Sequence, residues 1–175
     1  MILCAMAKRV VSFRIEDDAE KRLHDIAEEN KVTTNTLVNQ IFDDYIGRIQ
    51  SHLKFGTITM SKNSFDIILK TFDEKQVIEA ASQIGGTEPK EFILYSMKDI
   101  NEETVLKFIK EYFGVCGYGT CHSEVVDGKH VLTIRHHLGK KGALFFEIFL
   151  KGVIRSCLDK TVDMKVLGNS MVLTF

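Results

Sequence analysis

The sequence predicts an α+β chain: a small N-terminal β-α-α unit followed by a larger C-terminal α+β domain. Three observations predict it. A short alternating segment leads into two amphipathic helical segments within residues 8–50. The dipeptide Asp127-Gly128 joins two strand-like runs, and both of its residues tolerate the positive φ that a two-residue hairpin turn demands. An apolar-rich helical stretch over 140–158 then stands between that pair of runs and a second pair at the C-terminus.

Residues 8–15 read Lys-Arg-Val-Val-Ser-Phe-Arg-Ile, a strand. Alternation puts Val11, Phe13 and Ile15 on one face and Lys8, Val10, Ser12 and Arg14 on the other. Residues 17–30 have Ala19, Leu23, Ile26 and Ala27 at helical spacing among charged residues, with Asp17 or Asp18 as the cap. Residues 31–34 form a turn, and Asn30 is able to reach the left-handed region that closes a helix. Thr33 is a suitable N-cap for a second helix running to about residue 50. Its apolar face is Leu37, Val38, Ile41, Phe42, Tyr45, Ile46 and Ile49. A lone strand cannot satisfy its own backbone groups, so this unit calls for the same strand of a second copy.

The pattern changes after residue 52, which divides the chain into domains 1–52 and 53–175. Phe55 to Met60 alternates like a strand. Residues 62–113 read as several helices, interrupted near Gly85-Gly86 and by Pro89. Strands follow over 115–126 and 129–137, then the helix 140–158, whose stripe of Leu144, Phe145, Ile148, Phe149, Val153 and Ile154 reads as core. Strands 161–167 and 171–175 flank Gly168-Asn169. This order can be folded as a ferredoxin-like sandwich with extra helices in its first crossover.

The hydrophobic fraction of 45% and the charged fraction of 27% are ordinary for a globular protein, and the formal net charge is −1. Residues 1–52 hold nine acidic and seven basic side chains, so affinity for a polyanion has to come from local placement of charge. The first apolar residues are too few for a secretory leader and precede the basic ones, and no run is long enough to span a bilayer. With four cysteines in such a chain, the expectation is a cytoplasmic protein with reduced thiols.

The run Arg9-Val10-Val11-Ser12-Phe13-Arg14-Ile15, the segment from Leu23 to Asn30 and the Thr-rich turn opening the second helix resemble the ribbon-helix-helix (MetJ/Arc/CopG-like) DNA-binding family. The resemblance covers residues 8–50. It implies a homodimeric, sequence-specific transcriptional regulator that lays a two-stranded β-ribbon in the major groove of double-stranded DNA. Val10, Ser12 and Arg14 would contact bases, Arg14 being able to bond guanine O6 and N7 together. Lys8, Arg9 and the helix start at Thr33, Thr34 and Asn35 would contact phosphates. The alternative is a dimerisation or protein-interaction module whose C-terminal domain binds a small ligand or metal.

The remaining chemistry lies in Cys116-Gly-Tyr-Gly-Thr-Cys121-His122 and Arg135-His136-His137. The hairpin register puts Cys121, Ser123, Val125, His130, Leu132, Ile134 and His136 on one, more apolar face. Tyr118, His122, Glu124, Thr133, Arg135 and His137 share the other. Cys121 with His136, or His122 with His137, are candidate ligands for a transition metal. Nickel-sensing regulators join a ribbon-helix-helix domain to a small α+β domain, but their His-x-His strand motif is absent here. The favoured expectation is therefore no cofactor. Gly139-Lys140-Lys141-Gly142 reads as a basic loop that caps a helix, with a second reading as an anion cradle. No nucleophile-base-acid spacing appears, so the chain is expected not to be an enzyme. Tetramers built from paired dimers are compatible with the two-domain layout.

Overall fold

The computed structural model describes residues 9–175. The chain is α+β, with an antiparallel four-stranded sheet whose strands all lie in the C-terminal half. Two compact units divide at residue 52, Met1–His52 and Leu53–Phe175. No helix among the described residues is long and apolar enough to cross a membrane.

In the first unit, residues 9–16 carry no regular secondary structure, where the sequence reading expects a strand. A strand is defined by its ladder, and no described residue offers the segment one. Lys8 lies outside the described residues. Helix α1 (Asp17–Glu29) starts from Glu16, which makes no side-chain cap. Asp17 and Asp18 lie inside the first turn, where the helix dipole favours their charge, and neither is the cap. The closing turn is a Schellman motif: the amide of Lys31 donates to Glu28 O and that of Val32 to Ala27 O. Its left-handed residue is Lys31, φ 55°, while Asn30 stays right-handed. The left-handed residue thus falls one position later than composition suggests, after the C-cap Asn30. Thr33 caps α2 (Thr34–Asp44), its hydroxyl accepting from the amide of Thr36 at 3.1 Å. A π-helical turn (Tyr45–Ile49) and α3 (Gln50–Phe55) continue from it.

The second unit departs from the sequence reading at its start. Phe55–Met60 is not a strand. Phe55 ends α3 with its ring edge-on to Phe92, Gly56 turns at φ 91°, and the rest of the segment is irregular. Without that strand the ferredoxin-like topology is excluded. The helices are α4 (Lys62–Thr71), α5 (Glu74–Met97), α6 (Glu102–Gly114) and α7 (Gly139–Leu158). Capping boxes at Asp73/Gln76 and Asn101/Thr104 start α5 and α6.

Helix α5 runs unbroken through Gly85, Gly86 and Pro89. Its packing on α7 explains this. A Cβ on Gly85 would come within 2.5 Å of the Phe149 carbonyl oxygen, and one on Gly152 within 2.9 Å of Gly85. The two glycines let the helix backbones touch. Pro89 cannot donate to the carbonyl four residues back, which is Gly85 O. The Ser156 hydroxyl of α7 lies 3.4 Å from that oxygen and 3.3 Å from Val153 O, so its one proton is shared between the two carbonyls.

Strands β1 (Gly119–Val126) and β2 (Lys129–His136) form a hairpin closed by Asp127 and Gly128, at φ 51° and 75°. Strands β3 (Asp163–Leu167) and β4 (Ser170–Thr174) form a second hairpin around Gly168-Asn169. The sheet order is β1-β2-β4-β3, with α7 connecting the hairpins. Leu132, Ile134, Met171 and Leu173 face the helices and bury among Phe113, Phe146, Phe149, Leu150 and Val153. Helix α7 lies between α5 and the sheet, burying Phe145, Phe146, Phe149, Leu150, Val153 and Ile154, while Lys140, Glu147, Lys151 and Arg155 form its polar side.

Candidate nucleic-acid interface

The polar candidates of the first unit lie at the surface. Arg9, Val10, Ser12 and Arg14 are exposed, Val10 at 94%. The opposite parity is set by Phe13, whose ring sits 5.5 Å from that of Phe42 on α2. The two helices then bury only Ala27 and Leu37 among the described residues of the unit. Phe13 remains 63% exposed and Ile46 69%, and Val11, Ile15, Ile41 and Tyr45 are exposed as well. An apolar face of this size over so small a core is unusual for a free-standing unit.

At the start of α2, the Thr33 hydroxyl is already engaged, with Thr36 N and with Thr36 Oγ1 at 2.9 Å. Its part is to cap the helix. The early amides of Thr34 and Asn35 have no intrahelical acceptor and sit where the helix dipole favours an anion. Asn35 is exposed and its carbonyl accepts from the Asn39 side chain at 2.7 Å.

In the second unit the hairpin faces follow the register: Cys121 is opposite Ile134, and His136 is opposite Gly119. His136 is 1% exposed, its ring edge-on to Phe146 at 5.4 Å. Its Nδ1 accepts from the amide of Leu138 at 3.2 Å, which leaves the proton on Nε2, and Nε2 has no partner among the described residues. Burial pushes the His136 pKa down, helped by neighbouring His137, and pushes the Cys121 thiol up to about 11. A thiol so placed is a poor thiolate donor to a metal. His122 and His137 point to the opposite, exposed side. Among the described residues no group of three or more His, Cys, Asp or Glu side chains converges as a metal site. Purified protein is expected to hold no stoichiometric transition metal. Elemental analysis showing one zinc or nickel per chain, lost in Cys121→Ala or His136→Ala, would contradict this.

Gly139 to Gly142 is the first turn of α7 and not a loop. The Lys141 ammonium donates to the carbonyls of Lys70, at 2.9 Å, and of Phe72. It therefore closes the C-terminal end of α4, a role that only the tertiary fold reveals. A small cleft of about 180 Å³ lies beside it, lined by Lys62, Asn63, Asp66, Tyr118, His137 and Leu138. Asp66 is paired with Lys70 at 2.5 Å. Compared with known proteins, the chain matches no family model and has no significant match among curated proteins.

Proposed function

We propose that the chain is a sequence-specific DNA-binding transcriptional regulator, reading the major groove with a two-stranded ribbon formed by residues 8–15 of two copies. The observation that carries this reading is the unsatisfied state of the N-terminal unit. A segment without regular secondary structure sets Phe13 against Phe42 of α2 and leaves Val11 and Ile15 exposed, while two helices expose an apolar face. A second copy would supply the missing ladder and cover the face together. The ribbon so formed would carry Val10, Ser12 and Arg14 on its outer side, two copies of each. A β-ribbon fits the major groove, and guanidinium is the side chain best matched to guanine there. Phosphate contacts would come from Lys8, Arg9 and the first amides of α2. Binding would fall with salt according to the phosphates that the basic side chains neutralise, and the acidic first turn of α1 would weaken it overall.

The test is fluorescence anisotropy on a DNA sequence selected from a random pool. Arg14→Ala is expected to cost ~1–3 kcal/mol per lost bidentate contact and to abolish preference for the selected sequence. An unchanged sequence preference in Arg14→Ala would overturn the assignment. Absence of salt-sensitive binding to any selected sequence would favour a module that only dimerises.

A further inference from the structure

The two edges of the sheet are unlike. Strand β3 is short and carries Asp163 and Lys165, the usual means of blunting an edge. Strand β1 is eight residues long, with Glu124 as its one acidic side chain and no Lys, Arg or Pro. Its register against β2 is unbroken, with no bulge.

The bonding parity of β1 follows from its neighbours. His130 and Phe175 exchange both backbone hydrogen bonds, at 3.0 and 3.1 Å, and the amide of His136 reaches Asn169 O. Even-numbered residues of β2 therefore bond toward β4 and odd-numbered ones toward β1. On β1, Thr120, His122, Glu124 and Val126 use their backbone groups on β2. The N–H and C=O groups of Cys121, Ser123 and Val125 point out of the edge, with no hydrogen-bond partner among the described residues. Val125, on the helix-facing side, is 63% exposed.

We propose that this edge pairs with β1 of a second copy, antiparallel about a two-fold axis at Ser123, to give a continuous eight-stranded sheet. The register is set by side-chain complementarity, a histidine ring opposite a carboxylate, and by bonding parity. An axis at Ser123 puts Ser123 opposite itself and Cys121 opposite Val125 of the second copy, all as hydrogen-bonded pairs. His122 then stands opposite Glu124 of the second copy, and Glu124 opposite His122, in the close non-hydrogen-bonded positions where side chains interact best. Moving the axis one residue sets His122 against His122 or Glu124 against Glu124. Moving it two residues leaves much of the strand overhanging. The same pairing covers Val125 with the Cys121 side chain. The partner is thus a second copy of this chain, joined through a surface separate from the N-terminal unit.

Sedimentation of the full chain across micromolar concentrations is the test. Ser123→Pro removes an outward N–H while leaving the β1–β2 ladder intact, and an edge position tolerates proline. It is expected to halve the mass of the assembly with an unchanged far-ultraviolet circular dichroism spectrum. His122→Glu is expected to raise the dissociation constant of this contact roughly tenfold by setting two carboxylates opposite each other, and adding Glu124→Lys to restore it, because opposite charges then face each other. Phe13→Asp, run in parallel, reads the N-terminal contact alone. In that variant the β1 assembly persists and is lost only when Ser123→Pro is added. Should Ser123→Pro sediment like the unaltered chain, or Glu124→Lys fail to rescue His122→Glu, the edge pairing is overturned whatever the DNA experiments give.

Discussion

Gly85→Val is expected to destabilise the C-terminal unit by about 3 kcal/mol, the upper end of the overpacking range. A β-carbon there would fall 2.5 Å from the carbonyl oxygen and 2.9 Å from the Cα of Phe149. Both are backbone atoms of α7 and cannot rotate away. Relief requires α5 and α7 to separate, which would open contacts around Ala81, Phe149 and Val153, all buried. The neighbouring position supplies the control. A β-carbon on Gly86 meets nothing within 4 Å, and Gly86 is exposed. Gly86→Ala should therefore stabilise, by up to about 1 kcal/mol, because alanine is the better helix former. Thermal unfolding followed by circular dichroism reads both, at roughly 2–4 °C per kcal/mol for a chain of this size. Equal effects of the two substitutions would remove the close helix crossing from the account of this fold.

That pair of glycines also marks where local sequence stops being informative. Gly85-Gly86 and Pro89 break a helix on local rules. Here they sit in one because α7 supplies what the helix lacks: Gly152 makes room and Ser156 offers a donor to the carbonyl that Pro89 leaves free. Nothing within residues 74–97 announces those partners. The alternation of Phe55–Met60 failed for a related reason. It has the period of a strand, but Gly56 takes φ 91° and no sheet edge is joined to the segment. Where the decisive chemistry is local, the sequence was legible. Asp127-Gly128 fixes the hairpin and thereby the faces of Cys121, Leu132, Ile134 and His136, and Thr33 caps α2. The left-handed residue after α1 was displaced to Lys31 because the Schellman bonds, not residue preference, choose the position.

The candidate site divides along the same line. The parity of Val10, Ser12 and Arg14 could be read from alternation, since it needs only two-residue periodicity. The strand itself could not appear in one chain, because its ladder partner lies on another molecule under the proposed reading. The role of Lys141 was hidden because the carbonyls it meets are 69 and 71 residues away in sequence.

Phe13→Asp is expected to have the largest effect of all on the N-terminal unit, removing its self-association and its DNA binding together. The unit buries little. Among its described residues only Ala27 and Leu37 are buried, while ordering each backbone residue costs roughly 1–2 kcal/mol. Two helices with so small a core offset little of that cost, and under the proposed two-copy reading the missing stabilisation comes from association. Phe13 already rests against Phe42 and is 63% exposed, which places it where a second copy would close over both rings. A carboxylate there would be buried without a cation, a change that costs several kcal/mol and leaves the ladder of residues 9–15 unpaired. The unaltered chain should show a low-temperature unfolding step in the helical signal that moves upward with protein concentration, as linked folding and association require. In Phe13→Asp that step should disappear, with loss of part of the helical signal at 25 °C and a halved assembly mass. Phe13→Leu should keep the association, because it retains an apolar side chain at the same place. A Phe13→Asp chain that keeps its helicity, its mass and its DNA binding on dilution would show that the N-terminal unit folds alone, and the two-copy ribbon would have to be abandoned.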